Sequence, residues 1–254
     1  VTGAFGTRPV ITLPSGRPEP RAVVLSEGRG RVTQLGDVVV TDVEIRGWAG
    51  NESYLNTYDT GQPATVVLDG RPASRAWQQA LTGRAAGSRV LLVTPAAEGF
   101  GPDGRPAGAG PADTLVIVFD ILGGYPPDAR QPGRSLPALP ANLRPSERSR
   151  TLIDGSGPMV RPGAKIVVQY VGARWPSGAV FDSSHRRGGP GGFTLRPGAV
   201  PPGWVEALTG KAVGSRVAIA VPAAATRGFS ATTGGIGVPA GNALVYVVDI
   251  IDAL

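Results

Sequence analysis

The sequence predicts an α+β chain made of two similar β-rich domains, and three observations carry that prediction. The first is length: 254 residues suit two domains of roughly 100–130 residues each. The second is punctuation. The 38 Gly and 25 Pro follow no period and cut the chain into short apolar runs, which favours turns and strands over long helices. The third is an internal repeat. Residues 77–90 read WQQALTGRAAGSRV and residues 204–217 read WVEALTGKAVGSRV, an offset of 127. Glu27-Gly28-Arg29-Gly30 and Asp154-Gly155-Ser156-Gly157 keep the offset of 127, whereas Leu115-Val116 against Leu244-Val245 gives 129, so a small insertion lies between. Units of this length are duplicated domains, not solenoid turns.

Each copy predicts the same elements in the same order. An extended arm ends in a glycine turn, at 23–30 and 151–157. A strand follows. In the second copy Ile166, Val168 and Tyr170 share one face, and Val167, Gln169 and Val171 the other. After a variable loop comes a short helix on which Trp204 and Leu208 lie one turn apart. Pro201 and Pro202 suit its start and Gly210 its end. The next strand puts Val217, Ile219 and Val221 on one face. A long Gly-rich loop leads to the last strand, where Leu244, Tyr246, Val248 and Ile250 share a face. The expected division is an extended N-terminal arm at 1–20, a first domain at 21–125, a Pro/Arg-rich linker at 126–148 and a second domain at 149–254. The end of the linker is expected to double as a lead-in strand, because 136–150 echoes the Pro-rich arm 9–21.

Composition excludes several chemistries. The chain has no Cys and one His, His185, which removes disulfides, thiolate nucleophiles and His/Cys zinc sites. No metal or cofactor is implied. A single His in an Arg-rich loop supports no Ser-His-Asp set. The Gly-rich stretches 188–192 and 234–237 do not join a strand to a helix, so they are not phosphate cradles. The net charge of +6 is uneven: residues 1–125 carry 11 basic and 12 acidic groups, 126–150 carry 5 and 2, and 151–254 carry 9 and 5. No aromatic residues interleave with these cations, so nucleic acid is not an expected partner. The basic excess would allow peripheral contact with an anionic envelope surface. A solvated linker is the plainer reading.

Several stretches of the second copy fall in a telling order: Gln169-Tyr170-Val171-Gly172, then Phe181-Asp182-Ser183-Ser184, then Val200 with Gly203-Trp204, then Val238-Pro239 ahead of Leu244-Val245-Tyr246. This order resembles the FKBP family of prolyl isomerases over nearly all of 151–254. The first copy resembles it more faintly over 21–125, through Trp77, Phe100-Gly101 and 115–122. The resemblance implies two FKBP-like domains, each a twisted five-stranded antiparallel sheet wrapped on a short helix, with an apolar pocket for a prolyl ring. It implies Trp204 as the floor, Tyr170 and Phe181 as walls, Asp182 at the rim and Tyr246 closing the side. Val200 and Pro201 would meet the peptide backbone, and Val238 would border the mouth. Arg227 stands where the family has a capping loop aromatic, and Gly191 where it has a wall aromatic. Pro201 lacks an N–H. In the first copy the counterparts are read as Ile45 for the strand Tyr, Leu55-Asn56 for Phe-Asp and Ala73-Ser74 at the start of the helix, so that pocket is expected to be weak or closed.

Residue types of this kind suit an isomerisation in which no bond is made or broken. An X-Pro amide resists rotation by about 18–20 kcal/mol, and a catalyst need only bind the twisted amide better than either planar form. The twisted amide has a less polar carbonyl, which a dry aromatic pocket suits. Trp77 reads more simply as core, and Tyr170 and Tyr246 fit core and pocket equally. Without the aromatic set, Asp182 would only cap a turn. The expected partners are Pro-containing polypeptides and, by resemblance, a macrolide, with the chain acting as a monomer. Two further functions compete with catalysis: a binding or chaperone-like module, and a tandem scaffold whose first domain docks a partner. The tandem layout, the Pro-rich arm and the bias to Arg (only Lys165 and Lys211 are Lys) resemble exported, often lipid-anchored proteins of high-GC Gram-positive bacteria. An extracytoplasmic location, secreted or lipid-anchored at the envelope, is therefore expected.

Overall fold

A computed structural model describes residues 1–254 except Arg17, 71–74, 101–108, Pro111, 131–133, 140–147 and 228–235. The chain divides into two compact units, Val1–Pro126 and Pro127–Leu254. In the first unit the strands are β1 (Arg21–Ser26), β2 (Val38–Gly47), β3 (Ser53–Asn56), β4 (Ala64–Val67), β5 (Arg89–Pro95) and β6 (Thr114–Tyr125). In the second they are β7 (Ser149–Ile153), β8 (Lys165–Arg174), β9 (Val180–Ser183), β10 (Gly191–Thr194), β11 (Arg216–Val221) and β12 (Leu244–Ala253). The two sheets have the same order, β1-β5-β6-β2-β3 and β7-β11-β12-β8-β10, with β4 and β9 also paired to β2 and β8. Every pairing is antiparallel. Each sheet has five strand positions, because two short strands share one long neighbour.

The short helices sit at matching points. The main ones are α2 (Arg75–Leu81) and α4 (Trp204–Leu208). Single turns occur at α1 (Thr57–Thr60), α3 (Ala96–Gly99) and α5 (Ala223–Thr226), with a 3-10 turn at His185–Arg187. α1 forms because Asn56 caps it, its side chain accepting from the amides of Tyr58 and Asp59. Gly203 precedes α4 at φ +82°, a conformation that glycine adopts without strain.

Alternation along the strands builds each core. Ile166, Val168, Tyr170, Val217, Ile219, Val221, Leu244, Tyr246, Val248 and Ile250 all face Trp204 and Leu208 in one buried cluster. These are the residues whose spacing predicts a shared face. The first domain buries Trp77, Leu81, Val90, Leu115, Ile117 and Phe119 in the same way.

The other face of each sheet carries an arm. In the first domain residues 1–13 fold back on themselves through the paired Thr2 and Val10. Ile11 is buried on Val116 and Val118. Arg89 anchors the turn: its Nη1 donates to Gly3 O and its Nη2 to Thr7 O, both at 2.7 Å. The same guanidinium grips Asp120 at 2.6 and 2.7 Å, and Asp120 also accepts from the Gly6 amide at 2.7 Å. The second domain repeats this arrangement with residues sequence reasoning assigns to the linker. Arg216 grips Asp249 at 2.6 and 2.7 Å and donates to Ser135 O at 2.6 Å. Gln169 donates to Pro127 O, Arg134 donates to Gly214 O, and Leu139 lies on Ala218 and Val245. The described residues from 127 to 139 thus belong to the second unit and strap its sheet.

Candidate functional site

The aromatic side chains of the second domain converge because three strands and one helix aim them at a common point. Tyr170 comes from β8, Phe181 from β9, Tyr246 from β12 and Trp204 from the first turn of α4. Trp204 meets Tyr170 at 5.7 Å, Tyr246 at 5.5 Å and Phe193 of β10 at 5.6 Å, all edge to face. Phe181 meets Tyr246 at 5.7 Å and 88°. Such geometry places the positive ring edge against a negative face, contributing about 0.5–1.5 kcal/mol per pair. Trp204 and Tyr246 are fully buried and Tyr170 nearly so, while Phe181 is half-buried and reaches the surface. Val200, Pro201 and Val238 are buried beside this box; Arg227 is exposed. Phe193 and Ile236 belong to the same cluster and are not singled out by the sequence motifs.

Gly172 lets the box close. It pairs with Tyr246 across β8 and β12. A Cβ there would stand 2.8 Å from Phe181 Cζ and 2.8 Å from Tyr246 Cε1, so any other residue would displace a ring.

A polar chain runs along one side. The Tyr170 hydroxyl donates to Asp182 Oδ2 at 3.1 Å. Arg187 closes on the same carboxylate through Nη2 at 2.8 Å and Nε at 2.9 and 3.2 Å. Burial, reinforced by the Asp182 charge, pushes the Tyr170 phenol far above its ordinary range. The hydrogen bond to Asp182 likewise raises the Arg187 guanidinium. Asp182 is therefore more than a turn cap. Arg187, in the Arg-rich loop beside His185, is its main partner. The signal that could have revealed it is the five-residue spacing Asp182–Arg187, which one short turn folds back. Ser184 anchors that turn, its Oγ accepting from the Tyr170 amide and donating to Gln169 Oε1.

The first domain differs at nearly every one of these points. Pairing across its strands corrects two expected correspondences. Ile45 stands opposite Leu55 and Ile117 as Gly172 stands opposite Asp182 and Tyr246, so Ile45 matches Gly172 and the strand tyrosine is matched by Val43. The Phe-Asp pair is matched by Tyr54-Leu55, not Leu55-Asn56. Ala73-Ser74 lie outside the described residues, as does Gly101. The Trp77 indole donates to Gly99 O at 2.7 Å, and its ring meets Phe119 at 4.8 Å. Phe119 pairs with Val43 where Val248 pairs with Tyr170, so large and small have exchanged across the strands. Leu55 leaves no carboxylate at the rim. Phe100 fills the position of Arg227 and meets Tyr54 at 6.1 Å.

A separate cleft of about 380 Å³ lies on the flank of α4, lined by Arg148, Gly203, Glu206, Ala220 and Pro222 among others. None of the four converging rings lines it. Among the described residues no cluster of three or more His, Asp or Glu could hold a metal, and no helix is long and apolar enough to cross a membrane.

Each domain is thus an antiparallel sheet wrapped on a short helix, and in the second an aromatic box lies between them. The family model described as "FKBP-type peptidyl-prolyl cis-trans isomerase" matches residues 30–122 and again residues 157–251, and the chain belongs to that family as a tandem of two copies. Among curated proteins it is similar to "FK506-binding protein" of Streptomyces anulatus, 36% identical over 98 residues, covering 39% of this chain and 78% of that one. It is also similar to "Probable FK506-binding protein" of Corynebacterium glutamicum, 37% identical over 103 residues, covering 40% and 82%. Among solved structures, FkpA from Escherichia coli is 28% identical over 41% of this chain and 47% of that chain, with a TM-score of 0.35. The three FKBP domains of wheat FKBP73 are 20% identical over 93% and 99%, with a TM-score of 0.36.

Proposed function

We propose that the second domain is a peptidyl-prolyl cis–trans isomerase and that the box of Tyr170, Phe181, Trp204 and Tyr246 takes the prolyl ring. The observation that carries this reading is that the four rings converge beside a Tyr170–Asp182–Arg187 hydrogen-bonded chain in this domain alone. Trp204 supports the ring from below, and Phe181 stands at the opening. Asp182, held by Arg187, fixes the Tyr170 phenol at the wall. Val200 and Pro201 precede the helix where a peptide backbone would pass, and Val238 borders the mouth. The amide then rotates in a site that offers its carbonyl little polar solvation, which favours the twisted form.

The clients we assign are X-Pro segments of extracytoplasmic polypeptides, supported by the resemblance of this arginine-biased tandem to exported proteins. Protease accessibility on intact cells checks the location. A macrolide that presents a proline-like ring would compete for the same box.

The test is the isomerisation rate of a short X-Pro peptide with the full chain and with Phe181→Ala, Asp182→Ala and Trp204→Ala. Catalysis by the wild type that falls toward the uncatalysed rate in all three variants, each still folded by circular dichroism, is the expected result. Rates indistinguishable from the uncatalysed one in the folded wild type would remove the enzyme reading. One observation favours a second reading, a binding module with little turnover: Arg227 is exposed where the first domain has Phe100 against Tyr54. That reading expects peptide binding without rate enhancement.

A further inference from the structure

The box of the second domain contains two polar atoms that its apolar walls do not explain. The Trp204 indole Nε1 and the Tyr246 phenol Oη are both buried and have no hydrogen-bond partner among the described residues. Folded proteins rarely leave such groups unpaired, so each one asks for an explanation. The Asp182 carboxylate does not supply the missing acceptor. Its oxygens are taken by Tyr170 Oη and by Arg187.

The fold does not impose this arrangement, because the first domain avoids it. There the indole of Trp77 donates to Gly99 O at 2.7 Å. The register of Tyr246 is occupied by Ile117, which has nothing to satisfy. The second domain, by contrast, brings its unpaired indole and unpaired phenol together with ring centroids 5.5 Å apart. It keeps glycine at 172 so that the Tyr246 ring can lie there.

We propose that Tyr246 Oη and Trp204 Nε1 are a ready hydrogen-bonding pair that takes the prolyl residue's own carbonyl oxygen, leaving the carbonyl of the rotating amide unsolvated. The prolyl ring itself is apolar and needs no such partner, but the residue always brings a carbonyl of its own, outside the amide that twists. That oxygen has two lone pairs and no hydrogen, which matches two donors. The inference rests on the reading that the second domain binds X-Pro segments, and it adds the polar contact that would orient them. Tyr246 thereby acts through its hydroxyl as well as its ring.

The test is Tyr246→Phe in the full chain, which keeps the ring and removes only the hydroxyl. Three measurements are compared: melting temperature, affinity for an X-Pro peptide, and affinity for its analogue with a thioamide at the prolyl residue's own carbonyl, whose sulfur accepts hydrogen bonds weakly. The expected result is an unchanged or higher melting temperature, because an unpaired buried hydroxyl is removed, with a loss of roughly 3–10-fold in affinity for the oxygen peptide. The thioamide should bind both proteins alike. In parallel, the ¹⁵N-edited signal of the Trp204 indole should move downfield on saturation with peptide, while that of Trp77 stays in place. A lower melting temperature in Tyr246→Phe would show that the hydroxyl is already satisfied inside the folded protein, and would overturn the proposal. Equal affinity of both proteins for the oxygen peptide, or an unmoved Trp204 signal, would do the same. Failure of the underlying reading looks different: the wild type itself would then bind neither peptide.

Discussion

Asp182 and Gly172 control the box from opposite sides, one by what it holds and the other by what it lacks. Replacing Asp182 with Ala strands the Tyr170 hydroxyl in the interior and frees Arg187. A buried donor left unpaired costs about 1–3 kcal/mol, so chemical denaturation should show a loss of that size in the second domain's transition. Gly172→Ala acts through crowding. Its Cβ would need the space of Phe181 Cζ and Tyr246 Cε1 at 2.8 Å, and overpacking of this kind costs about 1–3 kcal/mol. Peptide affinity should fall more sharply than stability, because the displaced rings are the walls of the proposed site; a titration that finds native affinity would refute that. At this scale the sequence was only partly legible. That Trp204, Tyr170, Phe181 and Tyr246 lie together is what the resemblance to the family implies, and the four rings do meet. The first-domain counterparts are hidden in the sequence, because a large residue stands close to the place of Tyr170. Ile45 is two residues along from the true partner, Val43, and the bulk that Val43 lacks sits across the ladder on Phe119. Such an exchange between paired strands leaves no trace in either strand read alone.

At the scale of elements, the arms carry the least expected chemistry. Each arm is extended over its sheet, so its backbone carbonyls need donors. Arg89 and Arg216 meet that need while paired with Asp120 and Asp249. The Arg89–Asp120 pair is almost wholly buried, at 3% and 0% side-chain exposure, whereas Arg216 and Asp249 keep 12% and 7%. Removing one partner of a buried pair leaves an uncompensated charge and typically costs about 3–5 kcal/mol. Asp120→Ala should therefore lower the first domain's melting transition strongly, and Asp249→Ala the second's by less. Calorimetry with both variants ranks them, and equal shifts would contradict the burial argument. The echo between 9–21 and 136–150 was visible in the sequence and pointed to a repeated arm. Which face the arm would cover was not visible, since Arg89 and Arg216 read as ordinary strand residues until their carbonyl partners are placed.

For the molecule as a whole, a constant offset of 127 runs from the second strand of each sheet to the fifth, so one architecture has been kept while the interiors diverged. One consequence reaches both domains. Tyr58 in the first, and Tyr170 and Tyr246 in the second, are held protonated well beyond the ordinary tyrosine range. Burial is the main cause for each, with the charge of Asp120 beside Tyr58 and of Asp182 beside the other two adding to it. In the unfolded chain these phenols ionise near pH 10. Below that pH they are neutral in both states and contribute no pH dependence. Above it the unfolded chain releases protons that the folded chain retains, so stability falls as pH rises from about 10 toward the folded-state values. A spectrophotometric titration at the phenolate band should accordingly be incomplete while circular dichroism remains native: at least three of the five tyrosines should stay protonated near pH 11 and ionise together when the domains unfold. Smooth ionisation of all five near pH 10 with native circular dichroism would show that Tyr170 and Tyr246 are open to water, and that the box is not the dry site which isomerisation by desolvation requires.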